Sequence, residues 1–208
     1  MKPIRLAILS AALVLFLPRP AAADATGFAF LEVPAGARAA ALGGAYTTLA
    51  RGVDAAFWNV AALDQVRGIQ VAGTHAEYIG TLRHDHFALA GRLLGGGVAA
   101  SVRAMYSEPI DERDELGNLV GSFGAHDLEF GLAYGRTLAP GLSLGAGAQL
   151  VRERIADASA QTWSVGLGAL WEPARLRGVR LGVSAEHLGP ADAFVVEGAP
   201  GAPVALPA

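Results

Sequence analysis

The sequence predicts an all-β protein: an antiparallel transmembrane β-barrel, incomplete at about seven strands, behind a small N-terminal helical segment. Three observations predict it. From Gly68 onward the hydrophobic pattern has period two, in runs of about ten residues. The chain is 52% hydrophobic yet carries 27 glycines and no cysteine, which suits a membrane β-protein better than a soluble α/β enzyme. The first 23 residues have the organisation of an export signal.

That signal reads as basic Lys2 and Arg5, an apolar run from Ile8 to Leu17, and small residues Ala21, Ala22 and Ala23 before the expected cleavage. The apolar run is too short for a membrane span. Removing Lys2, Arg5 and Arg19 leaves 13 basic against 19 acidic residues, a poor balance for nucleic-acid binding. Without cysteine there is neither disulfide nor thiolate metal site. Three regions follow: a signal peptide at 1–23, an N-terminal segment at 24–67, and a partial barrel at 68–208.

Within 24–67, Leu42, Tyr46 and Leu49 fall at i, i+4 and i+7 and predict a helix over 37–50, weakened by Gly43 and Gly44. Asn59 reads as the N-cap of a short turn through Leu63. Strands are then expected near 68–78, 85–94, 97–107, 127–136, 142–153, 162–171 and 179–188. The clearest is Asp127 to Arg136, with Leu128, Phe130, Leu132 and Tyr134 on one face. Ten residues at about 3.3 Å, tilted by about 45°, rise roughly 23 Å, close to the apolar band of an outer-membrane barrel. Gly95-Gly96-Gly97 and Ala139-Pro140-Gly141 read as tight turns, and 107–125, with DERDELGN, as a long polar loop on the opposite side.

Seven strands is an odd number, and an open edge cannot face lipid, so a larger barrel is expected. Arg92, Arg103, Asp127 and Glu129 are candidates to line the lumen. Trp163 and Trp171 read as interfacial anchors. His84-Asp85-His86 is read as the entry to a strand and not as a metal site, and the acidic run Asp111 to Glu115 lacks calcium-loop spacing. No phosphate loop or nucleophile elbow occurs, so neither an enzyme nor a cofactor is expected.

The stretch GARAAALGGAYTTLARGVDAAFWNVAAL at 36–63 resembles the N-terminal signature of the PorV/PorQ family, barrels of the FadL-like superfamily. The matching residues are Gly36, Arg38, Gly43, Gly44, Ala45, Tyr46, Trp58, Asn59, Ala61 and Leu63. Val60 stands where the family pattern has Pro, and Ala62 where it has Gly. The resemblance continues through LGNLVGSFGAHDLEFGLAYGR and LSLGAGAQLVRE. It implies that the N-terminal segment folds back as a hatch inside the barrel. It also implies a non-enzymatic component of type IX secretion at the outer membrane, in contact with lipid and with secreted cargo or other secretion components. A FadL-like transporter of hydrophobic small molecules is the alternative.

Overall fold

The computed structural model describes residues 28–190 apart from positions 79 and 177, together with the pairing of Val195 and Val196. The expected signal peptide and most of the tail lie outside the described residues. The chain is mostly antiparallel β. The strands are β1 (Gln70–Glu77), β2 (Leu82–Leu93), β3 (Gly96–Ser107), β4 (Ile110–Arg113), β5 (Leu119–Phe123), β6 (Ala125–Ala139), β7 (Leu142–Ile155), β8 (Ala158–Trp171), β9 (Leu181–Leu188) and β10 (Val195–Val196). The main sheet runs β1-β2-β3-β6-β7-β8. Beside β8, β9 pairs along its second half and β10 along its start, so the two share the seventh strand position. Among the described residues, β1 and β9 are paired on one side only.

The 107–125 region is not a polar loop throughout. It folds as the two-stranded hairpin β4–β5, which leaves the main sheet between β3 and β6. Its tip is set by Asp114, whose carboxylate accepts from the backbone N–H of Leu116 and Asn118 and from the Asn118 side chain. Gly117 supplies the left-handed residue the turn needs, at φ 84°. The asymmetry of loop lengths is also weaker than expected. β7 and β8 join through Ala156 and Asp157 alone at the hairpin end, whereas residues 172–180 connect β8 to β9 at the opposite, turn end.

The N-terminal segment holds two short helices, α1 (Ala37–Ala41) and α2 (Ala55–Trp58), and three 3-10 turns, Ala29–Glu32, Gly52–Asp54 and Val60–Gln65. The helix expected over 37–50 stops at Ala41. Gly43 and Gly44 take φ 60° and 81°, outside the helical region, and the chain continues as turns. The apolar stripe is therefore broken: Tyr46 is buried, but Leu42 and Leu49 remain exposed.

One face of the sheet carries this segment. The buried core consists of Val60 to Leu63 and Val66 packed on Ala88, Ala90, Ala99 and Leu170. The other face is free and apolar. It bears Val71, Phe87, Leu89, Phe130, Leu132, Leu150, Trp163, Leu167, Trp171 and Val183, all exposed.

Candidate functional site

The strand register explains how the segment is seated. Gly97 pairs with Gly135, Gly135 with Gly145, and Gly145 with Gly168, so four glycines lie side by side across β3, β6, β7 and β8. The turn Asn59 to Leu63 lies across this row. A methyl group added at Gly97 would overlap the Leu63 carbonyl. At Gly135 it would overlap the Val60 carbonyl, at Gly145 the Val60–Ala61 peptide, and at Gly168 the Asn59 side chain. Glycine is required here because backbone meets backbone with no room for a side chain between them.

Asn59 fixes the register of that turn and is 0% exposed. Its Oδ1 accepts from the Ala61 N–H at 3.1 Å, capping the 3-10 turn. Its Nδ2 donates to the Ala169 carbonyl of β8 at 3.2 Å and to the Thr47 carbonyl at 3.3 Å. One side chain thus joins two parts of the segment to the sheet. Trp58 donates from Nε1 to the Ala35 carbonyl at 2.9 Å and meets Tyr46 edge to face. Gly44 sits against the Trp58 ring, and Gly36, at φ 94°, opens α1 beside His86. Arg38 is exposed on α1, where the neighbouring Tyr46 favours its charged form.

Further contacts tie the segment to both ends of the sheet. At the turn end Asp64 is held twice: Arg92 donates to its carbonyl at 2.6 Å, and Thr137 donates to its carboxylate at 2.6 Å. Toward the hairpin end Arg103 donates to the Leu31 carbonyl at 2.7 Å and lies over the Phe57 ring. Phe30 packs on Met105 and Val151, and the Phe28 N–H donates to Glu153.

The covered face is graded along the strands. The row His86, Arg103, Glu129, Val151 and Thr162 is largely polar and lies toward the hairpin end. Arg103 and Glu129, each 4% exposed, approach to 3.4 Å, and His187 stands 3.8 Å from the other Glu129 oxygen. Asp127 is a row further out, opposite Glu153. Nearer the turn end come Ala90, Ala99, Ala133 and Gly147, then the four glycines. All four lumen candidates thus face the N-terminal segment, but they do not form one site. Arg103 and Glu129 pair, Arg92 holds Asp64 at the far end, and Asp127 stands apart.

The arrangement seats the N-terminal segment on four strands. Among the described residues no group of three or more His, Asp or Glu is placed to hold a metal ion. Sequence reasoning had reached Asn59, Trp58 and the polar strand positions. It had missed the glycine row, because the signal lies in the register between strands and not in any one of them.

An antiparallel sheet, apolar on its free face and graded from polar to small residues where its own N-terminal segment is docked, defines the class of protein. The model of the uncharacterised protein family UPF0164 matches residues 19–161, and the chain belongs to that family. No curated protein and no solved structure matches it.

Proposed function

We propose that the chain forms wall and plug of an outer-membrane β-barrel, and that it acts as a non-enzymatic secretion or assembly component of the kind its PorV/PorQ resemblance implies. The observation that carries the membrane part is the inverted polarity of the sheet. In water a sheet turns its apolar face inward; here Phe130, Leu132, Trp163 and Leu167 are exposed while Arg103, Glu129 and Gln149 are covered. From Trp163 to Trp171 is eight residue steps, roughly 26 Å along the strand at about 3.3 Å each, or about 18–21 Å of depth at a tilt of about 35–45°, which fits within a band about 25 Å tall. Both tryptophans stand at its borders, where aromatic girdles meet the interface. Among the described residues no helix is long and apolar enough to cross a membrane, which says nothing of strands. In lipid the free edges of β1 and β9 need pairing partners, and the barrel reading requires that further strands supply them.

The seating of the plug supports a scaffold over a conduit. Asn59 and the glycine row lock the turn Val60–Gln65 to four strands, and any passage along the covered face requires the plug to leave that seat. Thr47 and Ser184 provide the test, since their hydroxyl oxygens lie 3.4 Å apart, one on the plug and one on β9. The chain has no native cysteine, so Thr47→Cys with Ser184→Cys would tie the plug to the wall by a single disulfide. The scaffold reading expects cells carrying the oxidised variant to export surface proteins at the wild-type level. If oxidation instead abolishes uptake of a long-chain fatty acid and reduction restores it, the protein is a transporter.

A further inference from the structure

We propose that the outward side of β6 and β7 is a binding site for one membrane lipid with a phosphate-and-amine headgroup, such as phosphatidylethanolamine. The proposal rests on the membrane reading above.

Two hollows lie in line on these strands. The first, about 590 Å³, is an apolar groove on the free face lined by Phe87, Leu89, Phe130, Leu132, Ala148 and Leu150. Ala100 and Ala148, between larger neighbours in the pairing row Leu89, Ala100, Leu132 and Ala148, leave the trough. The second, about 560 Å³, lies at the hairpin end among Glu112, His126, Arg154 and Asp157, between the β4–β5 hairpin and the β7–β8 turn. Side chains alternate along a strand, so His126, Leu128, Phe130 and Leu132 share the outward side of β6, and Arg154, Arg152, Leu150 and Ala148 that of β7. From Phe130 to His126 is four residues, about 13 Å, which is within the length of a lipid from upper acyl chain to headgroup.

The order of chemistry along this line decides the occupant. Deepest is the groove, suited to acyl chains. Next comes Arg152, exposed and opposite Leu128 at the upper border of the apolar belt, where a lipid phosphate lies. Beyond it the cleft adds Arg154 and His126, and its far walls bring the carboxylates of Glu112 and Asp157. Apolar, cationic, then anionic is the complement of acyl chain, phosphate and ammonium. A lipid with a purely anionic headgroup satisfies Arg152 but meets Glu112 and Asp157 with like charge. Guanidinium is well suited to phosphate because its planar donors bind two oxygens together.

The test uses the full chain purified in mild detergent and titrated with palmitoyl-oleoyl phosphatidylethanolamine or with phosphatidylglycerol of the same chains, with bound lipid counted by native mass spectrometry. The amine lipid is expected to bind roughly two- to fivefold tighter, the scale of an exposed ion pair. Glu112→Gln with Asp157→Asn is expected to erase that preference without weakening phosphatidylglycerol. Arg152→Gln is expected to weaken both lipids, and Arg152→Lys, which keeps the charge but not the paired donors, to weaken them less. Because these side chains are exposed, the variants leave the covered core intact. Equal binding of the two lipids by the wild-type chain, or a preference that survives the double change, overturns the site and leaves the barrel reading standing. A protein that stays in solution without detergent and binds neither lipid overturns both.

Discussion

Asn59 shows what one buried side chain does for this protein. It spends one oxygen on its own turn and one amide group on three carbonyls from other parts of the chain, those of Thr47, Ala169 and, at 3.5 Å, Val183. Asn59→Ala should remove the cap and strand the Ala169 and Thr47 carbonyls, a loss of about 1–3 kcal/mol in chemical unfolding. Asn59→Asp should be worse than Ala, although it keeps the capping oxygen, because it turns a carboxylate toward three carbonyl oxygens. A milder Asp variant would show that capping alone is what matters. Asp114 acts at the hairpin tip in the same way but in water. Hydrogen bonds from the Asn118 side chain and backbone hold its carboxyl below the ordinary value of 3.8. The folded hairpin therefore binds this proton less readily than the unfolded chain. Its contribution is complete above that ordinary value and is lost as pH falls through the lower, folded one. Amide shifts of Leu116 and Asn118 should report loosening of the tip only in that acid window, and Asp114→Asn should flatten the response.

At the scale of elements the N-terminal segment and its seat depend on each other. Gly145→Ala places a methyl in the Val60–Ala61 peptide, so it should unseat the turn at a cost of about 1–3 kcal/mol. Hydrogen exchange should then rise over residues 59–66 while the β6–β7 ladder stays protected. Gly91→Ala, which meets nothing within 4 Å, is the matched control and should leave exchange unchanged. A Gly145→Ala protein with wild-type exchange over 59–66 would mean that the plug does not rest on the row. The strands themselves were legible because alternation of apolar and polar residues is a local property of each segment. The hairpin β4–β5 was not, since β4 is exposed on both faces and β5 is no more than half-buried on one, so no apolar–polar alternation marks them, although Asp114 and Gly117 carried the turn chemistry. The helix over 37–50 does not form because two adjacent glycines, Gly43 and Gly44, leave helical space and outweigh the helical spacing of Leu42, Tyr46 and Leu49. The glycine row needed the register of four strands, which no single segment encodes.

For the whole molecule the account rests on which face meets lipid. Sequence pattern alone shows two unlike faces. The structure adds that the face carrying Arg103, Glu129 and the alanine and glycine rows is covered by residues 28–66, and that the face of large apolar side chains is bare. The three tryptophans report on this arrangement directly, because Trp58 lies in the plug while Trp163 and Trp171 stand on the free face. The decisive measurement is tryptophan fluorescence of the reconstituted protein in bilayers of brominated phospholipid, against aqueous iodide. The account predicts strong quenching by bromine, greater when it is placed near the ester end of the acyl chain than at mid-chain. It also predicts little effect of iodide, and undiminished bromine quenching in Trp58→Phe. Emission from Trp163 and Trp171 that iodide quenches and brominated lipid leaves untouched would put the apolar face in water or against protein, and would contradict the membrane reading.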